Sequence, residues 1–318
     1  MTQSQIKQAF VLGAGLGLRL RPMTEHTPKP LVPIFQKRLI TFSLDHLRSL
    51  GVDSFVINTH RLPEQFEEVF STGEYEGAPV KLAHEPSLLE TGGGIKNAEA
   101  FLRADEPFIV YSGDILTDID LQPLIDAHFS EGNDVTLALR ATGLGTSMAV
   151  RDGRVLDIGG KYGHAGSCDF ANISIWSPAI FERIAPREKI SFVPVLVDWI
   201  GQGAKVGGVL LNERKWFNIG SRAGYLEVHR TIADESWKPA YVTEHTWPVR
   251  IAPDAEIDPS ARLDGVCSIG AGARIGRDAV LKNTIVWPGA QIASRSDLRN
   301  CIVRSHQKAE GILRDADI

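Results

Sequence analysis

The turn Leu12-Gly13-Ala14-Gly15-Leu16-Gly17-Leu18-Arg19 sets glycines at alternate positions and closes on a cation. Glycine lets backbone N–H groups approach phosphate oxygens closely. A dinucleotide fold is the obvious competitor. Its fingerprint is G-x-G-x-x-G with an acid about 20 residues on. Here the spacing is G-x-G-x-G, and residues 33–36 read Pro-Ile-Phe-Gln, so that reading is disfavoured. Further on, Pro28-Lys29-Pro30 clamps a lysine between prolines. Prolines on either side predict an extended, rigid segment. A lysine held that way loses less entropy when it meets an anion.

The whole run from Val11 to Pro33 resembles the signature of sugar-1-phosphate nucleotidyltransferases, G-x-G-x-R, then P-x-T, then P-K-P. Three further matches follow in order: Glu90-Thr91-Gly92-Gly93-Gly94, Tyr111-Ser112-Gly113-Asp114 and Trp216-Phe217-Asn218-Ile219-Gly220. The resemblance covers residues 9–304. The His26-to-Pro30 and ETGGG details are also similar to N-acetylmuramate-1-phosphate uridylyltransferase-like members. A C-terminal β-helix is common among mannose-1-phosphate guanylyltransferase-like members.

The resemblance implies a reaction and a cast. A sugar phosphate oxygen attacks the α-phosphorus of a nucleoside triphosphate, and pyrophosphate leaves. Leu12, Gly13, Ala14, Gly15 and Gly17 would cradle the nucleotide, with Glu90, Thr91, Gly92 and Gly93 against its base. Arg19 and Lys29 would neutralise phosphates. Asp114 would hold Mg2+, with Mn2+ as an alternative, and residue 218 would be the second metal ligand. Such chemistry asks the protein for positioning and charge, not for a covalent intermediate. Two positions depart from the family pattern: Asn218 stands where aspartate is expected, and Asn172 where relatives often carry glycine. A family Glu-Lys pair at the sugar phosphate is replaced by Gly159-Gly160-Lys161, leaving Lys161 to serve alone. Asn58 and His60 are expected to be structural.

These residues need a scaffold, and the apolar pattern predicts one. Short apolar runs at 9–12, 54–58, 80–83, 107–111 and 135–139 read as buried strands. Helical spacing falls between them, at 39–50, 62–70, 94–102 and 123–130. Later strands are expected at 147–150, 170–176 and 206–211, and helices at 192–201 and 221–232. The alternation predicts a doubly wound, mostly parallel α/β sheet. Past residue 235 the period changes to six: Ile251, Ile257, Leu263, Ile269, Ile275 and Leu281, with small residues between them. After a one-residue slip it resumes at Val286, Ile292 and Leu298. Hexads of this kind mark a parallel β-helix of roughly three coils. Its left-handedness is implied by the resemblance. The expected layout is a catalytic domain over 1–235, a linker over 236–250, the β-helix over 251–304 and a polar tail over 305–318. The β-helix is expected to serve assembly or stability, giving a homo-oligomer.

Bulk properties narrow the remaining classes. The 318 residues suit more than one domain, and the net charge of −5 offers no basic nucleic-acid surface. Cys168, Cys267 and Cys301 sit at no metal-ligand or disulfide spacing, which fits free thiols in a reducing cytoplasm. No stretch approaches the ~20 apolar residues of a membrane span, and the start lacks a leader pattern. The expected activity is nucleotidyl transfer to a sugar 1-phosphate, with guanine or uracil as base and mannose, heptose, glucose or an amino sugar as acceptor. The alternatives are a regulatory homologue that binds NDP-sugar, motivated by Asn218, and a β-helix acyltransferase, for which too few histidines are placed.

Overall fold

The computed structural model describes residues 5–143, 147–235 and 237–318. Residues 1–4, on which the leader reading rests, and Ser236, where the linker was expected to begin, lie outside them. The chain divides into two compact units, residues 1–16 with 40–217 and residues 17–39 with 218–318. The second unit therefore takes in the segment 17–39, which a linear reading assigns to the catalytic domain.

The first unit is built on a ten-stranded mixed sheet. Its central parallel block runs Phe108–Ser112, Gln8–Leu12, Ser54–Thr59, Ala78–His84. The inner three read as near-continuous buried runs because helices cover both faces of a parallel sheet, while Ala78–His84 alternates buried and exposed. Asp169–Trp176 lies antiparallel to Phe108–Ser112, then Val135–Arg140 and Val206–Leu210 pair parallel to each other. The hairpin Met148–Arg151 with Arg154–Ile158 finishes that edge; the latter strand was not anticipated, because Asp152-Gly153 looks like loop. Helix Phe192–Gly201 lies where it was expected, its first turn capped by Ser191, whose hydroxyl accepts from the Val193 N–H at 3.3 Å.

One helix departs from expectation. It spans Glu90–Ala98, not 94–102, so the glycine run forms its first turns. Glycine is a poor helix former in isolation. Here close packing decides: a Cβ on Gly93 would lie 2.1 Å from the Glu188 carbonyl oxygen.

In the second unit, three parallel sheets stack as a β-helix, with strands such as Glu256–Ile257, Arg274–Ile275, Gln291–Ile292 and Lys308–Ala309 in one column. This matches the left-handed β-helix that the resemblance implies. Ile269, Ile275, Leu281, Val286, Ile292 and Leu298 point inward with Ala273, Ala279 and Ala290. One corner is a column of left-handed residues: Gly265 (φ 65°), Asn283 (φ 49°), Asn300 (φ 52°) and Asp315 (φ 49°). Short polar side chains tolerate that conformation, and they bond up the column, Asn283 Nδ2 to Asn300 Oδ1 at 3.4 Å and Asn300 Nδ2 to Asp315 Oδ1 at 3.1 Å. The expected polar tail carries strands Lys308–Ala309 and Ile312–Arg314 and completes another turn of the helix. A second five-residue step, Leu298 to Val303, hides it from a six-residue count.

Candidate active site

In a parallel block every strand delivers its carboxyl end to one edge, where open α/β sheets hold ligands. Leu12 lies in register with Asn58 on one side and Ser112 on the other. Gly13, Glu85 and Gly113-Asp114 therefore leave the sheet along the same edge.

A buried polar pair shapes the first turn. Asn58 Oδ1 accepts from the Gly13 N–H at 2.7 Å and the Ala14 N–H at 3.3 Å. Asn58 Nδ2 donates to Glu85 Oε1 at 2.7 Å, and the Leu89 N–H donates to Glu85 Oε2 at 2.9 Å. His60 Nδ1 lies 2.7 Å from the Glu85 main-chain oxygen. Gly13 leaves no room for a side chain, since a Cβ there would sit 2.6 Å from the Asn58 carbonyl oxygen. Burial pushes the Glu85 carboxyl above its ordinary range, against the hydrogen bonds from Leu89 and Asn58, which favour the charge. Asn58 and His60 thus each make a structural contact at this edge. Glu85 was missed; an acid closing the Ala78–His84 strand and followed by proline was the available signal. The Gly13 and Ala14 amides are engaged by Asn58, and the turn becomes exposed from Gly15 and Leu16 onward.

The second glycine segment is held just as closely. The Gly92 and Gly93 N–H groups both donate to the Ile190 carbonyl, at 2.8 and 3.0 Å. Thr91 Oγ1 accepts from the Phe192 N–H at 3.1 Å. These glycines serve packing against residues 188–192. Glu90, with φ 63°, is the exposed member of the segment.

Asp114 follows strand Phe108–Ser112 and is partly exposed. The Ser112 hydroxyl donates to Asp114 Oδ1 at 2.7 Å and fixes the carboxylate; the Ser-x-Asp spacing at a strand end was the signal for it. The segment behind it is tied down too: the Thr117 hydroxyl donates to the Lys215 carbonyl at 2.7 Å, and the Lys215 N–H donates to Asp118 Oδ1 at 2.8 Å. Next to Lys215, the Trp216 indole N–H donates to the Ala171 carbonyl at 2.9 Å. That carbonyl precedes Asn172, which sits at a β-bulge with φ 62°. Asparagine and glycine are the residues that enter this conformation readily, which explains the departure at 172. Lys161 is an exposed cation paired with exposed Asp198 at 3.2 Å. Its loop is shaped by Asp157, fully buried, whose Oδ2 accepts from the Tyr162 and His164 N–H groups at 2.7 and 3.1 Å.

Within the second unit, Arg19 is exposed in the single 3-10 turn Leu18–Leu20, entered through Gly17 at φ 63°. Thr24 Oγ1 closes that turn on the Gly17 carbonyl at 2.7 Å. Lys29 is not in extended chain. It opens the 3-10 turn Lys29–Leu31 and is 8% exposed. The Leu31 N–H donates to the Pro28 carbonyl at 2.8 Å; Pro30 has no N–H to lose, which suits it to a first helical turn. Asn218 is exposed, and its amide converges with Arg19 over Gly220: a Cβ built there would lie 3.1 Å from Asn218 Oδ1 and 3.3 Å from Arg19 Nη2.

Among the described residues, no three His, Cys, Asp or Glu side chains gather into a metal cage. Magnesium does not need one, since it is commonly held by one or two carboxylates and substrate phosphates. The Asp114 carboxylate is a hard oxygen donor of that kind.

Comparison with known proteins gives the family. A family model described as "Nucleotidyl transferase" matches residues 8–235. The mannose-1-phosphate guanylyltransferase of Mycobacterium tuberculosis is 27% identical over 294 residues, covering 89% of this chain and 80% of that protein. The N-acetylmuramate alpha-1-phosphate uridylyltransferase of Neisseria meningitidis serogroup B is 31% identical over 193 residues, 59% of this chain and 83% of that protein. The solved inositol-1-phosphate CTP transferase from T. maritima shares the fold, with a TM-score of 0.59 and 20% identity over 70% of this chain and 92% of its own.

Proposed function

The chain belongs to the nucleotidyl transferase family, and on that premise we propose that it joins a nucleoside triphosphate to a sugar 1-phosphate. The products are an NDP-sugar and pyrophosphate. The observation that carries this reading is the shared sheet edge: the glycine turn after Leu12 and the Asp114 carboxylate after Ser112 leave neighbouring parallel strands in register. In the reaction a sugar phosphate oxygen bonds to the α-phosphorus, and the bond from that phosphorus to the β-phosphate oxygen breaks. Arg19 and Lys29 neutralise the phosphates, and positioning with charge stabilisation carries the rate. Lys161 and Asn172 are assigned to the sugar phosphate. A magnesium ion held by Asp114, with Asn218 as a neutral second ligand, would supply further charge neutralisation.

The relatives named above use different bases and acceptors, so the pair is found by experiment. GTP, UTP, CTP, ATP and dTTP are each incubated with mannose, heptose, glucose and N-acetylmuramate 1-phosphates, and pyrophosphate release is followed. One pair is expected to stand well above the rest. Release that does not depend on any sugar phosphate would overturn the reading. The β-helix is also assigned to self-association through its stacked coils. No described helix is long and apolar enough to cross a membrane.

A further inference from the structure

The segment 17–39 is gripped by the β-helix on either side of Lys29. Arg304, on the β-helix, donates through Nη1 to the Pro22 carbonyl at 3.0 Å and to Glu25 Oε2 at 3.1 Å, while its Nε donates to the Ile318 carbonyl at 3.0 Å. This guanidinium is 15% exposed, which raises the strength of its charge-assisted bonds over those of a free surface arginine. Pro22 comes three residues after Arg19.

The second grip is a relay through buried rings. The Trp287 indole N–H donates to Tyr225 Oη at 2.9 Å, and Tyr225 Oη donates to the Pro33 carbonyl at 2.6 Å. Trp287 is 1% exposed and Tyr225 0%. The phenol's single proton is committed: the oxygen accepts from tryptophan, which only donates, and the O–H donates to the proline carbonyl, which only accepts. Pro33 comes four residues after Lys29. Gln36 adds a third tie, donating from Nε2 to the Ile269 carbonyl at 3.0 Å. Every one of these partners lies on helix Arg222–Asp234 or on the β-helix.

We propose that Arg304 and the Trp287–Tyr225 relay are positioning residues for the transfer reaction, with the β-helix holding the Arg19–Lys29 segment in its working shape. This rests on the functional reading above. It also changes the role of the C-terminal region. Residues 251–304 were expected to serve assembly or stability alone, yet Arg304 holds one end of the stretch that carries Lys29 directly, and Trp287 backs the tyrosine that holds the other. Positioning matters because a displacement of about 1 Å, even from a change far from the chemistry, can cost about a hundredfold in rate. Tyr225 and Arg304 touch no reacting group on this account; they act through Lys29 and Arg19.

The test uses the full chain. Tyr225→Phe removes the bond to Pro33 and keeps the ring. Arg304→Met keeps the stem and removes the fork. Each is expected to lower kcat about tenfold or more, with KM for the sugar phosphate little changed. Amide exchange should rise over residues 20–34 and stay protected across the β-helix core. In a Lys29→Ala background, Tyr225→Phe should cost little more, because its effect passes through the lysine. Arg304→Lys, which retains one donor for Pro22, should recover part of the Arg304→Met loss. If wild-type enzyme turns over and both variants match it in kcat, the proposal is overturned. If the variants lose activity additively with Lys29→Ala, the residues stabilise the unit and do not position the lysine. If wild type shows no sugar-phosphate-dependent turnover, the functional reading fails first and this role falls with it.

Discussion

Lys29 and Arg19 carry the sharpest residue-level test. Lys29 is nearly buried in a 3-10 turn between prolines, and Arg19 is exposed in an earlier 3-10 turn, Leu18–Leu20. Lys29→Ala and Arg19→Ala should each remove about 3 kcal/mol of barrier stabilisation, read as a roughly hundredfold loss of kcat with the circular-dichroism spectrum unchanged. A near-normal rate in either would remove that residue from the mechanism. Asn218 offers an oxygen without charge. Asn218→Asp should lower the magnesium concentration needed for half-maximal rate; an unchanged requirement would show that residue 218 is no metal ligand. At the bulge, Asn172→Gly should leave stability nearly unaltered, whereas Asn172→Val should cost about 1–2 kcal/mol in urea unfolding, because a β-branched residue resists positive φ. Residues of this kind were legible because their types are constrained by chemistry. Glu85 was not. Its place after a strand and before a proline was a weak signal, but its role is set by a contact to Asn58, 27 residues away in sequence, which spacing does not encode.

Elements were legible wherever one period persisted. The central strands appear as buried apolar runs, and helix Phe192–Gly201 has a serine cap with a continuous apolar stretch behind it. The helix Glu90–Ala98 was misplaced because local propensity counts three glycines against it, while the packed carbonyls of Ile190 and Glu188 require Gly92 and Gly93, and the Glu85 and Asn58 side chains crowd Gly94. That contest gives a prediction. Gly93→Ala should destabilise the protein by about 1–3 kcal/mol, the scale of overpacking a close contact, and lower the urea midpoint. An unchanged midpoint would mean that residues 188–190 move aside freely. The last β-helix turn was missed for a related reason. Its inward residue is Ala309, small and weak as a signal, and it arrives after a shortened step.

At the scale of the whole molecule, three histidines are buried neutral. Burial lowers His46, His128 and His229 from 6.5 to about 4. The unfolded chain binds protons at these sites near pH 6.5 and the native protein does not, so the stability they contribute is full above pH 6.5 and is lost as pH falls toward 4. The urea midpoint should therefore drop steadily across that window, and a flat profile would contradict the burial of these rings. Light scattering should report an oligomer; a monomer at working concentration would leave the β-helix with its positioning role alone. The division into residues 1–16 with 40–217 and 17–39 with 218–318 was not legible, because the signature segment reads as one continuous motif while its buried bonds run to the C-terminal unit.

Following the label tests the transfer reaction most directly. With the triphosphate and sugar 1-phosphate that react best, the α-phosphorus is labelled in one experiment and the γ-phosphorus in another. The α-label should appear in the sugar nucleotide and the γ-label in pyrophosphate, in equal amounts and only when the sugar phosphate is present. An α-label that ends in free nucleoside monophosphate or diphosphate, or a γ-label released as inorganic phosphate, would contradict the account.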